Sequence, residues 1–309
     1  MSRAEQDSGI GRYLTVLRTQ RNLSSHTISG YQLDLADLES FANGKELASL
    51  TYFDLRRLTS LKHADGLSAR SIARKLSCWR GYYRWLAEQV SIPANPVDGI
   101  KAPKKAKSLP KALGVDDAVR LVSPIPLSNE AIPSANRAMF ELLYSSGLRV
   151  SELVGLDIAD IQENAYASLG WVDIAQAEVH VTGKGDKQRV VPVGTYALDA
   201  LLEWLRLRPS LVKSETHALF LTERGTRMSV RLVQLRLKAH ARIIGIPADV
   251  HPHVLRHSFA SHVLQSSGDL RAVQEMLGHS SIAATQVYTS LDFQHLAKVY
   301  DASHPRAKK

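Results

Sequence analysis

From about residue 10 to residue 98 the apolar positions of this chain recur at helical spacing. Ile28, Leu35, Leu38 and Phe41 form one such series. Ser24 or Ser25 stands where an N-cap is needed, and Asn43-Gly44 supplies the stop. A second series follows Gly66-Leu67-Ser68: Ile72, Leu76, Trp79, Tyr83 and Leu86 alternate by four and three, which places them on one stripe of a helix. Arg70, Arg74 and Arg84 fall on the opposite side, with Lys75 and Arg80 on the flanks. One face is therefore expected to pack, and the other to meet solvent or phosphate.

Pro93, Pro96, Pro103 and Pro110 then interrupt the helical period, and Lys101, Lys104, Lys105, Lys107 and Lys111 crowd between them. The pattern predicts a stiff, basic linker. It could be an ordinary solvated connection, but five lysines in so few positions suit better a strap along a nucleic-acid backbone. Beyond about residue 111 the pattern is again mostly helical, with one exception. Ala177-Glu178-Val179-His180-Val181 alternates, Gly183-Lys184-Gly185-Asp186 supplies turn residues, and Gln188-Arg189-Val190-Val191-Pro192-Val193 resumes a strand-like run. Lys184 is thus expected at the tip of a β-hairpin. The prediction is a mainly α chain with a small β-sheet or hairpin in its C-terminal domain (α+β). An N-terminal helical domain takes residues 1–100, the basic linker 101–111, and a second domain 112–309.

Composition adds a partner class. With 309 residues and 44% hydrophobic positions the chain has material for two cores. Its 39 Lys+Arg against 30 Asp+Glu give a formal net charge of +9, which favours a polyanion unless the excess merely solvates the surface. The only cysteine, Cys78, lies in an apolar-periodic segment, so no intramolecular disulfide can form and a buried structural thiol is expected. Met1 to Asp7 lack the layout of a signal peptide, and no segment supplies the roughly 18 consecutive apolar residues of a membrane span. A cytoplasmic location is expected.

Four short signatures carry the chemistry. They are Ser146-Gly147-Leu148-Arg149, Thr182-Gly183-Lys184-Gly185, His253-Val254-Leu255-Arg256-His257, and the run from His279 to Tyr288. Cleaving a phosphodiester needs a nucleophile, cations for the charge on the non-bridging oxygens, and a proton for the departing oxygen. Arg149 and Arg256 suit the second task, because a guanidinium keeps its charge and offers a planar fork of donors to two oxygens. Each alone would read as a surface arginine. His253 and Arg256, three apart, share a helix side, and His279 adds another donor or proton carrier. A tyrosine phenol has a pKa of about 10 and attacks poorly unless cations or a base activate it, which this set could do for Tyr288. Lys184, on a mobile hairpin, could protonate a leaving 5′ oxygen.

Metal and nucleotide chemistry are not expected. His253 and His257 stand four apart as in helical metalloprotease sites, but Val254 occupies the place of the needed Glu and Arg256 would set a fixed positive charge beside the ion. Thr182-Gly183-Lys184-Gly185 lacks the first glycine of a phosphate-binding loop. No cofactor is expected.

At these residues the chain resembles the tyrosine recombinase, or phage integrase, family, and the likeness spans nearly its whole length. By that family's pattern Arg149, Lys184, His253, Arg256, His279 and Tyr288 occupy the six catalytic positions, and Glu152 resembles the acidic residue that orders the site. The resemblance implies a two-domain C-shaped clamp on double-stranded DNA: a SAM-like core-binding domain, to which Arg70, Arg74, Arg84, Lys104, Lys105 and Lys107 would contribute DNA contacts, and a catalytic domain. It implies cleavage through a 3′-phosphotyrosine with a free 5′ hydroxyl.

Within the family the stretch Tyr288 to Ala307 is similar to the Xer recombinase type that works beside XerD, rather than to XerD itself. That implies a heterotetramer with a XerD-like recombinase at a dif-type site, chromosome-dimer resolution during segregation, and regulation by the FtsK translocase. Phe293, Leu296 and Tyr300 share one face of a short tail helix, expected to dock on a neighbouring subunit unless it folds back on its own domain. Residues 162–175 look longer than is usual for Xer proteins and read as a surface insertion, tolerable because loop extension costs little entropy. The readings left beside this one are another tyrosine recombinase (XerD, an integron or a phage integrase), a type IB topoisomerase, which shares the chemistry but not the linker or tail, and a DNA-organising protein without catalysis.

Overall fold

The computed structural model describes residues 9–104, 112–123, 130–163, 165–183, 188–214, 216–246, 249–278, 299–300 and 302–307. The chain divides into two compact units, Met1–Ser108 and Leu109–Lys309.

The first unit is built from α1 (Gly9–Thr19), α2 (Ser25–Ala42), α3 (Tyr52–Ala64) and α4 (Ala69–Leu86). Each long helix starts where a side chain can take up an orphan backbone N–H. Ser24 accepts from Thr27, Thr51 and Asp54 form a reciprocal capping box, and Ser68 accepts from Ser71. Asn43, at φ 46°, ends α2 in the left-handed conformation that asparagine tolerates. Leu35 and Leu38 from α2 and Ile72, Leu76, Trp79 and Tyr83 from α4 are buried as the apolar stripes predict; Cys78 of α4 and Leu55 of α3 join them in the core, while Phe41 and Leu86 are only partly buried.

Polar groups lock these helices in register. Asp34 is fully buried on α2 and receives Lys75 at 2.8 Å and the Arg74 guanidinium, while the Trp79 indole donates to its carbonyl at 2.7 Å. Lys75 also reaches Asp37, which Lys62 of α3 meets at 2.9 Å. Lys75 is therefore an interior residue, not a flank. The Asp34 carboxylate, which would be costly to bury alone, is what draws it in.

The second unit centres on α6 (Ala131–Ser145), buried from Ser134 to Ser145 except at Asn136 and Arg137. Around it stand α5 (Val115–Val122), α7 (Val150–Gly155), α8 (Thr195–Leu207), α9 (Val230–Ile243), α10 (Pro252–Ser267) and α11 (Leu270–Leu277). Among the described residues there are also two small antiparallel sheets. One pairs β1 (Gln162–Glu163) with β2 (Tyr166–Ala167); the other orders β3 (Gly170–Asp173), β4 (Glu178–Thr182) and β5 (Gln188–Pro192) side by side. Val172, Val179 and Val191 sit opposite one another on the core face. The expected hairpin is β4–β5, with Thr182 opposite Gln188. Lys184, its predicted tip, lies outside the described residues.

The stretch 162–175 is more than a surface insertion. It contributes β3, an edge strand whose Val172 enters the core, and Ser168 and Tyr166 donate to the buried Asp157 at 2.6 and 2.8 Å. Arg227 completes that cluster at 2.7 Å. The Asp157 carboxylate needs these donors, which is why the segment folds onto the unit. Among the described residues no helix is long and apolar enough to cross a membrane.

Candidate active site

The turn after α6 sets the first arginine. Gly147 takes φ 57°, and a side chain there would run into Phe259, with an added Cβ 2.4 Å from its ring. The chain can thus bend tightly enough for Arg149 to stand at the N-cap of α7, and one turn later Glu152 turns its carboxylate back on it. Glu152 accepts from the Arg149 backbone N–H at 2.7 Å and from Arg149 Nη1 at 2.8 Å.

Arg256, on α10, reaches the same place from the interior. Its Nη1 donates to the Gly147 carbonyl at 2.6 Å, its Nη2 donates to the Leu277 carbonyl, and Nη1 lies 4.0 Å from Glu152. The two predicted arginines and the predicted carboxylate are therefore brought together. Arg149 remains 39% exposed at its side chain while Arg256 keeps only 5%, so Arg149 is the guanidinium that meets solvent.

A fourth group stands here that the motifs did not single out. Arg189 of β5 grips Glu152 through two hydrogen bonds, 2.9 and 2.8 Å, and its Nε donates to the Met276 carbonyl at 2.9 Å. One signal for it was present: in Gln188-Arg189-Val190-Val191 the alternation puts Arg189 on the same side as core-facing Val191. A charged residue at an inward strand position needs a buried partner.

Electrostatics follow from this crowding. Burial pushes the Glu152 carboxyl upward, but hydrogen bonds and charge from Arg189, then Arg149, bring it down to about 2. It is ionised at neutral pH. Burial, then repulsion from Arg149 and Arg189 set against attraction from Glu152, lowers Arg256 to about 10, which leaves it a cation. One anion against three guanidiniums leaves local positive charge for a phosphate.

His253 lies one turn before Arg256 on α10 and is exposed, its ring stacked 6.5 Å from that of His251. Lys184, His279 and Tyr288 lie outside the described residues, as do Phe293 and Leu296. His279 follows Gly278, whose carbonyl accepts from Arg149 Nη2 at 3.3 Å. Among the described residues no group of three or more His, Cys, Asp or Glu is placed to hold a metal ion.

The remaining predicted contacts divide. Arg70, Arg84 and Lys104 are exposed. Arg84 lines an open cavity of about 590 Å³ together with Arg12, Arg21 and Trp85. Arg74 is exposed as well, with 47% of its side chain open to solvent, and it also ties α4 to α2 through Asp34 and the Gly30 carbonyl at 3.0 Å. Lys105 and Lys107 lie outside the described residues. Tyr300, expected on a docking face, is instead seated in its own unit. It is 1% exposed among Phe259, Val263, Met276 and Leu277, with His304 stacked 5.0 Å away. Arg306 and Ala307 are fastened beside it. Arg306 pairs with the buried Glu141 and lies 3.8 Å over the Tyr196 ring, and the Ala307 carbonyl accepts from Thr195.

The family model described as the phage integrase family matches residues 112–295, and that of the phage integrase N-terminal SAM-like domain matches residues 10–89. The chain belongs to the phage integrase family. Among curated relatives it is 56% identical to tyrosine recombinase XerC 1 of Ralstonia nicotianae, over 97% of this chain and 94% of that one. It is 54% identical to tyrosine recombinase XerC of Ralstonia pickettii over the same shares, and 45% identical to that of Alcanivorax borkumensis. The fold is likewise that of solved tyrosine recombinases. The Tn1549 transposon integrase with transposon right end DNA aligns with TM-score 0.70 at 18% identity, covering 94% of this chain and 98% of that one. XerH bound to palindromic difH aligns with TM-score 0.64 at 23% identity, over 94% and 84%. Family membership makes the chain a site-specific tyrosine recombinase.

Proposed function

We propose that the chain is a XerC-type recombinase that cuts and rejoins double-stranded DNA through Tyr288. Arg149 and Arg256 hold the scissile phosphate. The phenol oxygen of Tyr288 attacks phosphorus, forming the 3′-phosphotyrosine, while the bond to the 5′ oxygen breaks. The phenolic proton passes to a histidine of the site, His253 or His279, and Lys184 protonates the departing oxygen. Religation reverses these steps, so the energy of the broken bond stays in the phosphotyrosine and neither metal nor ATP is consumed. Glu152 takes no proton; it holds the arginines.

One observation carries this reading: the two guanidiniums and Glu152 meet in one cluster in a chain more than half identical to a curated XerC. The same likeness supports the biological setting. A XerD-like recombinase would complete a heterotetramer at a dif-type site in the cytoplasm, with FtsK governing the resolution of chromosome dimers. The exposed Arg70, Arg84 and Lys104 would contact DNA phosphates, so affinity would fall steeply with salt. Unit 1 would serve as the core-binding domain.

The test is covalent trapping on a nicked dif-like suicide duplex without metal or ATP. The nick lets the cleaved fragment diffuse away and blocks religation. An adduct formed by the parent and absent from Tyr288→Phe is expected. Adduct formation by Tyr288→Phe at the parental rate would remove Tyr288 as nucleophile.

A further inference from the structure

We propose that Arg189 is a positioning residue for strand cleavage, holding Glu152 and the end of α11 so that Arg149 and Arg256 present one fixed pair of guanidiniums to the phosphate. The inference rests on the recombinase reading above and adds to it a residue that the catalytic pattern does not contain.

The argument starts from donors and acceptors. A carboxylate has about four acceptor positions, and Glu152 has four donors. Oε1 receives Arg149 Nη1 at 2.8 Å and Arg189 Nη1 at 2.9 Å; Oε2 receives the Arg149 backbone N–H at 2.7 Å and Arg189 Nη2 at 2.8 Å. Half of what fixes the carboxylate therefore comes from Arg189. Removing it would free Glu152 to rotate, and with it the Arg149 side chain that leans on Oε1.

The second hold is on α11. A helix leaves its last carbonyls without internal partners, and cations gather there. Three consecutive carbonyls at this end each take a different arginine: Met276 takes Arg189 Nε at 2.9 Å, Leu277 takes Arg256, and Gly278 takes Arg149 at 3.3 Å. Gly278 turns the chain at φ 61°, with the Arg189 side chain 3.1 Å from where a Cβ would be. Arg189 thus touches both the carboxylate that orients the arginines and the helix end from which the chain runs to His279. With its side chain only 4% exposed, it is shielded from a DNA phosphate and acts through the others.

Lysine cannot replace it, since an ammonium is a point charge and lacks the planar fork that spans both carboxylate oxygens. The experiment measures single-turnover adduct formation on the suicide duplex for the parent, Arg189→Lys, Arg189→Met, Glu152→Gln and the double variant Glu152→Gln/Arg189→Lys. Rates are taken per DNA-bound molecule and across pH. Arg189→Lys is expected to lose about 100-fold in cleavage, the scale of a misplacement near 1 Å. Its DNA affinity and salt slope should be retained, because no phosphate contact is removed. The acid limb of its pH profile should move up, because Glu152 loses the partner that most favours its charge. Added to Glu152→Gln, the same change should cost little more. Normalising to bound protein keeps partial unfolding from imitating the effect, and Arg189→Met, which keeps the bulk without the charge, should cleave no faster than Arg189→Lys.

Three results would overturn the assignment. They are Arg189→Lys cleaving at the parental rate, a loss of affinity and salt slope in step with the rate, or full additivity with Glu152→Gln. No adduct from the parent itself would instead strike down the recombinase reading, and this assignment with it.

Discussion

Replacing Gly147 by alanine tests whether the turn between α6 and α7 sets the site. Two costs add. The backbone at φ 57° is left-handed, which costs a residue with a Cβ about 1 kcal/mol. The new methyl would stand 2.4 and 2.8 Å from two ring carbons of Phe259, which is fully buried beside Val263 and Met276 and cannot swing aside. Overpacking of that kind costs about 1–3 kcal/mol. The sum is about 2–4 kcal/mol, and for a unit of this size each kcal/mol lowers Tm by about 2–4 °C, so a drop of about 5–15 °C is expected. Calorimetry on the parent and Gly147→Ala measures it directly. The functional loss should exceed the thermal one, because the Gly147 carbonyl anchors Arg256 and the turn aims Arg149. Below the melting range the variant should still bind DNA while cleaving far more slowly. A variant that melts within about 1 °C of the parent would refute the reasoning, since neither the strain nor the clash would then exist.

Arg306→Ala would leave the buried Glu141 without its partner and should destabilise the second unit by about 3–5 kcal/mol in denaturant titrations. Glu152 has its carboxyl lowered from 4.5 to about 2, so its contribution is present above about pH 5 and lost as pH falls towards 2. That shift corresponds to about 3 kcal/mol, so acid unfolding should be shallower in Glu152→Gln. Burial lifts the Glu141 carboxyl instead, which works in the opposite direction, so the Glu152 contribution is read as the difference between the parent and the Glu152→Gln variant. Ser168→Ala removes one of the donors to the buried Asp157 and should cost about 1–3 kcal/mol by thermal melting; no change would mean that the 162–175 segment is only laid on the surface.

The α2 cap and stop and the α4 stripe were legible in the sequence because period and end residues agree locally: Ser24, Asn43 and the Ile72–Tyr83 stripe all fall as expected. The β4–β5 hairpin was legible for the same reason, through alternation broken by glycines. Strand β3 was not, because four residues give too short an alternation and its pairing is with a strand whose partner on the other side was the obvious one. Among the site residues, Arg149 and Arg256 could be read from their short signatures and Glu152 from the family resemblance, and the structure brings the three together. Arg189 could not be found from a motif, since its role depends on a carboxylate 37 positions away. Lys75 misled for a related reason. Helical period puts Arg74 outside, where it is found, and Lys75 at the edge, but a buried aspartate on another helix, 41 positions distant, draws Lys75 inside. Tyr300 shows the same limit: an apolar face on a tail says that it will be covered, and only the fold says by which surface.

The chain's single thiol gives the first unit a clock of its own. Cys78 is fully enclosed in that core, and burial pushes it well above the ordinary thiol range, so little reactive thiolate exists while the unit is closed. Alkylation of the native protein therefore proceeds only when α4 separates from α2, and its rate counts those openings without a report from the second unit. The same silence makes the unmodified chain a ready background for labelling: one cysteine introduced at an exposed position would carry a probe alone, with no native thiol to be mutated away first.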